Sequence, residues 1–271
     1  MRTRRRAALR AAGDRLCRWL LGCLLAILAG HPGIGSAQSA NVEAIKHVKP
    51  SIVAVGTFER LRNPEFRFRG TGFAVGDGSV VATNAHVVPA VLDVAGEERL
   101  AIAVRASGSK IQVRGARKIA SESSADLVLL KIDGPPLPPL QIGNSDDVRE
   151  GQIYLFTGFP IGTVLGLIPA TNRAMISAIT PIVIPPARAG KLSARAIRRL
   201  AAGAFPVFQL DGTAYPGNSG SPLYDPRSGK VVGIVNMVFV KGTKEAALTK
   251  PSGISYAIPA KKLMELLNSS R

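Results

Sequence analysis

From Ser51 to Pro259 the sequence is a succession of short apolar runs separated by Gly, Pro, Asp and Asn, and this punctuation constrains the fold more than any other feature. The runs are SIVAVGTF (51–58), GTGFAVG (70–76), SVVATNAHVV (79–88), LAIAVRAS (100–107), IQVRGARKIA (111–120), DLVLLKI (126–132), GQIYLFTGF (151–159), KVVGIVNMVFV (230–240) and GISYAIP (253–259). Most are rich in β-branched residues, which are stiff about χ1 and pack well on a pleated surface. Many short strands with turn signals between them predict an all-β sandwich or barrel architecture. Helical periodicity is confined to NVEAIKHV (41–48), LSARAIRRLAAGA (192–204) and AKKLMELLN (260–268). No internal repeat occurs. The proline-rich stretch GPPLPPL (134–140) reads as a stiff, extended linker that divides the chain into two β units. A hydrophobic content of 46% against 20% charged residues excludes a disordered chain.

The N-terminus is of another kind. Arg2, Arg4, Arg5, Arg6, Arg10, Arg15 and Arg18 face a single acid, Asp14. The apolar run WLLGCLLAILAG (19–30) follows, then the small residues Gly33, Gly35, Ser36, Ala37, Ser39 and Ala40. A basic head, a short apolar middle and a small-residue end describe an export signal. The run is short for a membrane span, which needs about 20 residues. Cleavage after Ala37 is expected, with an uncleaved signal anchor as the alternative. Cys23 lies in a lipobox-like context, but most of the apolar run comes after it, which argues against a lipoprotein. The export segment also holds the only two cysteines, Cys17 and Cys23, and the only tryptophan, Trp19. The remainder therefore has no disulfide, no cysteine nucleophile and no thiolate metal site. Its loss of seven arginines and one aspartate takes the formal charge from +17 to +11. That charge favours anionic partners such as an envelope polymer or a lipid surface.

Three histidines are present. His31 falls in the export segment and His47 on a helix-period stretch, where a solvated face is expected. His86 ends a strand in TNAHVV and needs partners before it can do chemistry. The strongest local motif is PGNSGSP, Pro216 to Pro222. A serine between Gly217 and Gly220 sits in a turn that admits unusual backbone angles. Such a turn can present the Ser219 hydroxyl together with the N–H groups of Gly217 and Ser219 as an oxyanion hole. Asp126 opens an apolar strand, where an acid wants solvent or a specific donor such as a histidine N–H. No histidine follows Ser219, so the Ser…Asp…His order of α/β-hydrolases is excluded. The order His86…Asp126…Ser219 is that of the two-barrel serine proteases.

In these residues the chain resembles the trypsin-like serine proteases, and within them the HtrA/Deg group. GTGFAVGDGSVVATNAHVV is similar to that family's segment around the catalytic histidine, and SADLVLLKI to its aspartate segment. LPPLQIGNSDDVREGQIYLFTGFPIG resembles the inter-barrel stretch, QLDGTAYPGNSGSPL the nucleophile loop, and GISYAIPAKKLMELL the closing strand and helix. The resemblance implies two six-stranded antiparallel β-barrels with a C-terminal helix. One protease domain over 41–268 then follows the export signal over 1–37. Within that domain the first barrel is expected at about 41–133, the linker at 134–140, the second barrel at about 141–259 and the helix at 260–268. His86 is implied as base, Asp126 as its orienter and Ser219 as nucleophile. Polypeptide substrates, a role in envelope quality control or processing, and a homo-oligomer (often a trimer in this group) are implied as well.

Departures from the group also matter. Gly220 is followed by Ser221 where the group has a second glycine. The GNSGSP form is similar to that of glutamyl endopeptidases, but the extra histidine those use for acidic substrates has no counterpart here. No PDZ domain is expected after the protease domain. The stretch Pro181–Ala204 is more basic than its counterpart, with Arg188, Lys191, Arg195, Arg198 and Arg199 and no acid. A basic amphipathic helix there offers the alternative reading, a latent or silent protease-fold module on anionic membrane surfaces. The substrate pocket is expected from Asp211, Thr213, Ala214 and Tyr215, and from the strand residues Ile234, Val235, Asn236 and Met237. The apolarity of that strand predicts a medium apolar residue on the acyl side of the substrate. Motifs for nucleotides, metals or sequence-specific nucleic-acid binding are absent, and no cofactor is expected.

Overall fold

The structure, a computed structural model, describes residues 34–93, 95–105, 110–162, 166–182, 205–236 and 255–270. The export segment before Ile34 and most of the basic 181–204 stretch lie outside them. The chain divides into two compact units, Met1–Val42 and Glu43–Arg271. The described part of the first is the beginning of helix α1 (Ile34–Val48).

Everything else belongs to the second unit, which holds two closed antiparallel barrels. The first contains β1 (Ile52–Phe58), β2 (Phe66–Val75), β3 (Val80–Asn84), β4 (Arg99–Arg105), β5 (Ile111–Glu122) and β6 (Leu127–Ile132), in the order β1-β2-β3-β6-β5-β4. The second contains β7 (Ile153–Gly158), β8 (Ala170–Ile182), β9 (Phe205–Leu210), β10 (Pro222–Tyr224), β11 (Val231–Asn236) and β12 (Ser255–Pro259), in the order β10-β11-β12-β9-β8-β7. Helix α2 (Ala260–Ser269) follows β12. The double six-stranded barrel is the architecture that the sequence implies.

Successive side chains along the central strands are divided between different cores. In β6, Val128, Leu130 and Ile132 join Val53, Val55 and Ile102 in one cluster. Leu127 and Leu129 point the other way, into a cluster shared with Leu155, Tyr224, Ile234 and Leu263 of the second half. In β11, Val232 and Val235 pack with Phe156, Ile176 and Leu210 in the second barrel's own core. Both faces of the central strands are therefore buried, which is why they read as continuous apolar runs and not as alternating ones. The 134–140 stretch is pinned to the first barrel, with Leu137 N–H donating to Gly78 O (2.9 Å) and Leu140 N–H to Ala74 O (2.9 Å). Strands β8 and β9 are absent from the apolar runs of the sequence. β8 buries only alternate side chains over Ala174–Ser177, and β9 has an exposed proline, Pro206, as its second residue.

One ion cluster ties two loops at the rim of the first barrel. Arg62, between β1 and β2, donates from Nη1 to Glu59 Oε2 (3.1 Å) and Glu98 Oε1 (2.9 Å), and from Nη2 to Thr57 O (3.0 Å). Thr57 Oγ1 donates to Glu98 Oε1 (2.6 Å), and Asp93 N–H to Glu98 Oε2 (3.1 Å). These donors, the Thr57 hydroxyl foremost, hold the Glu98 carboxyl down at about 2, against an ordinary value of 4.5. A carboxyl whose folded-state value is depressed contributes stability that is complete above its unfolded value and is lost as the pH falls through the folded one. The Glu98 contribution is thus expected to disappear between about pH 5 and pH 2. Glu98→Gln should lower the melting temperature at pH 7 and flatten its decline across that acid window, as thermal melts of both proteins would show.

Candidate active site

His86 lies in a single 3₁₀ turn, Ala85–Val87, at the end of β3. Asp126 stands just before β6, and β3 and β6 are neighbours in the first barrel, pairing Asn84 with Leu127. Sheet register alone therefore brings the two together. The backbone of Asp126 is left-handed, with φ of +51°, a conformation in which Asp is among the commoner non-glycine residues. Its carbonyl accepts from Ala85 N–H (2.9 Å) and Asn84 Nδ2 (3.2 Å). Its carboxylate turns the opposite way, with Oδ1 accepting from His86 N–H (2.9 Å) and Oδ2 bonded to His86 Nδ1 (2.6 Å). A carboxylate can only accept, so this pairing places the imidazole proton on Nδ1 and leaves Nε2 as the basic nitrogen.

The structure adds a residue that the sequence placed elsewhere. Asn236, at the end of β11 in the second barrel, donates from Nδ2 to Asp126 Oδ2 (2.7 Å). Asp126 is nearly buried, at 8% exposure, yet its carboxylate accepts from three donors. Buried charge is tolerable only with partners of this kind.

Ser219 sits in the turn between Gly217 and Gly220, at φ of +102° and +88°. Thr71 of β2 holds that turn from the first barrel. Its N–H donates to Ser219 O (2.8 Å) and its hydroxyl to Gly217 O (2.6 Å). The same hydroxyl oxygen accepts from Phe159 N–H (3.0 Å), and Thr83 Oγ1 donates to Thr71 O (2.6 Å). A Cβ placed on the neighbouring Gly70 would stand 2.6 Å from Val87 Cγ2 and 3.1 Å from Ser219 O. Only glycine there lets the histidine turn and the serine converge on β2. Among the described residues no hydrogen bond joins the Ser219 hydroxyl to His86.

The backbone donors around Ser219 fall into two sets. Asn218, Gly220 and Ser221 donate to Tyr215 O (2.9 Å), Val235 O (2.9 Å) and Asn218 O (3.0 Å). Among the described residues the N–H groups of Gly217 and Ser219, those expected to form an oxyanion hole, have no protein acceptor.

The expected pocket residues scatter. Asp211 is exposed, and its Oδ1 accepts from Met175 N–H (2.7 Å) across β8 and β9. Ala214 is buried and donates its N–H to Ser255 Oγ (2.8 Å), while Thr213 is half-buried and Tyr215 is exposed. Ile234 and Val235 are buried in the hydrophobic cores, and Asn236 donates to Asp126. β11 is buried on both faces. Met237 lies outside the described residues.

Thr71 gives a test of how this geometry is held. Thr71→Val keeps the shape and removes the hydroxyl, stranding the buried Phe159 N–H and Gly217 carbonyl. A loss of about 1–3 kcal/mol per stranded group is expected, read as a lowered urea midpoint with unchanged slope.

The model of the trypsin-like peptidase domain matches residues 70–234. The chain is 28% identical over 211 residues to a probable periplasmic serine endoprotease, DegP-like, of Halomonas elongata, covering 76% of this chain and 36% of that protein. It is 31% identical over 212 residues to the protein of the same description from Ectopseudomonas mendocina, with 76% and 36% covered. This chain thus spans about a third of the length of the curated relatives it matches. Among solved structures, the HtrA-type protease AlgW with tripeptide superposes with a TM-score of 0.58 at 25% identity, covering 84% of this chain and 62% of that one.

Proposed function

The chain belongs to the trypsin-like peptidase family, and from that premise we propose that it is a serine endopeptidase of the HtrA/Deg kind, cleaving polypeptides through an acyl-enzyme on Ser219. The observation that carries the reading is the imidazole of His86, oriented by the buried Asp126 beside a serine turn with two free backbone donors. A serine hydroxyl is a weak nucleophile near neutral pH and needs a base within reach. Rotation of the Ser219 hydroxyl toward Nε2 on substrate binding supplies that contact, since such bonds tighten only in the complex.

As Ser219 Oγ bonds to the scissile carbonyl carbon, its proton passes to His86 Nε2. The carbonyl π electrons move onto oxygen, and the N–H groups of Gly217 and Ser219 stabilise that charge. Asp126 keeps Nδ1 protonated and offsets the imidazolium charge, with Asn236 holding the carboxylate in place. Collapse of the intermediate breaks the C–N bond, and His86 delivers its proton to the departing amine. Water then attacks the acyl ester, with His86 as base, and Ser219 is regenerated. The relatives' description as periplasmic supports an envelope setting, with polypeptide quality control or processing as the task. The acyl part of the substrate lies along Ala214 and Tyr215, the chain segment that leads into the serine turn.

A fluorophosphonate probe on the purified protein tests the reading. Labelling is expected on Ser219 and is abolished by Ser219→Ala, whose turnover should fall by about 10⁶-fold. Asp126→Asn should lower kcat by about 10⁴-fold with little change in KM, because the wrong imidazole tautomer is stabilised. A folded protein that takes no probe, or a Ser219→Ala variant that still cleaves, would overturn it.

A further inference from the structure

The segment that follows β7 is strained where strain is hardest to justify. Gly162 N–H donates to Phe159 O (3.2 Å), closing a turn over Phe159–Gly162. Pro160 is its second residue and Ile161 its third, with φ of +57°. Proline at the second position and positive φ at the third is the type II pattern, whose third position calls for Gly or Asn. A β-branched residue in the left-handed region is an outlier. Burial does not repay it, since Ile161 is 40% exposed. Strain of this order persists only where the surroundings enforce it, and it concentrates at functional sites.

The conformation achieves one specific contact. Ile161 N–H donates to Pro216 O (2.8 Å). The peptide between Pro216 and Gly217 is a rigid trans plane, so its carbonyl and its N–H point in opposite directions. Holding Pro216 O toward Ile161 therefore directs the Gly217 N–H the other way, as a free donor. Were that plane to flip, a carbonyl oxygen would stand where the donor is needed. The Phe68 ring braces both turns, since side chains at Gly162 or Gly217 would collide with it, and it stacks edge-on against Phe159 at 6.0 Å.

The two peptide planes are coupled. Rotating the Pro160–Ile161 peptide converts a type II turn to type I, returns Ile161 to negative φ and turns its N–H away. Isoleucine's own preference thus opposes the bond to Pro216. We propose that Ile161 is a positioning residue, a strained latch whose N–H holds the Pro216–Gly217 peptide so that Gly217 can serve the oxyanion. The latch is balanced between two states because its residue type resists the conformation that its hydrogen bond requires. Substrate that occupies the oxyanion position favours the latched state, so binding and formation of the hole are linked. This rests on the catalytic role proposed for Ser219.

The test compares Ile161→Gly, which removes the strain and keeps the N–H, with Ile161→Pro, which removes the N–H and forbids positive φ. Cleavage of a fluorogenic peptide gives kcat and KM, and a peptide boronic acid reports how well the tetrahedral adduct on Ser219 is held. Ile161→Gly should raise kcat and tighten boronate binding by roughly threefold or more, with KM unchanged. Ile161→Pro should weaken both by about 10²-fold, the effect of losing one oxyanion donor. If the proline variant fails to fold, the order Gly above Asn above Ile, with Val equal to Ile, carries the same test. Variants that do not move in opposite directions, an absent rank order, or changes confined to KM would overturn the latch. Wild-type protein and all variants forming no boronate adduct would instead overturn the catalytic reading on which it rests.

Discussion

The contact on which the rest of the site depends is made by Thr71. Its N–H, its hydroxyl and its carbonyl are engaged with Ser219, Gly217, Phe159 and Thr83, all at 3.0 Å or less. Catalysis by a serine needs nucleophile and base held to within fractions of an ångström, and the residues proposed for these roles, Ser219 and His86, come from separate barrels. Apolar packing between barrels is strong but not directional, and it would tolerate sliding. Hydrogen bonds with defined donors and acceptors do not. Thr71 therefore converts a general attachment into a registered one, and the adjacent Gly70 permits the approach by presenting no side chain. Asn236 does the same in the reverse direction, reaching from the second barrel to Asp126 of the first. The two contacts cross the cleft in opposite senses, so neither barrel can shift without stranding a buried polar group.

The barrels tolerate this demand because each strand contributes to more than one core. The shared cluster draws on Phe73, Leu127 and Leu129 from the first barrel and on Leu155, Tyr224 and Ile258 from the second, with Leu263 of α2 closing it. Docking of the two barrels is thus continuous with the folding of each. The polar contacts at the cleft are fixed by an interface already held elsewhere, and they act on orientation more than on association.

The parts legible in the sequence were those where chemistry or burial leaves few options. His86, Asp126 and Ser219 could be ordered because only one histidine stood in a strand-end context and none followed the serine. Sheet register places His86 and Asp126 side by side. Strands with two buried faces were legible as apolar runs. β8 was not, because its burial alternates among Ala, Asn, Arg and Ser and leaves no run to find. β11 is legible as an apolar strand, but apolarity alone does not say whether such a strand fills a barrel or borders a pocket. Asn236 carried a signal in retrospect, as the one amide in an apolar run, since a buried amide requires a partner. The partner is 110 residues away in the chain, and no local pattern could name it.

Left-handed backbone at non-glycine residues occurs at Glu97, Asp126, Ile161 and Leu167 among the described residues. Asp126 shows what such a conformation achieves when it is well supported. In the left-handed form its carbonyl meets Asn84 and Ala85 while its carboxylate meets His86 and Asn236, so one residue is anchored from both sides at once. An extended or helical backbone could not direct both groups to those partners. With five donors on a residue type that tolerates positive φ, the conformation is over-determined, and the orienting group of the imidazole is fixed. Ile161 has the same backbone sign with a single donor bond from its amide and a residue type that resists it. The same geometry is therefore rigid where a charge must be held still and marginal where a peptide plane must be able to turn. That contrast separates the part of the site built once during folding from the part that responds to what binds.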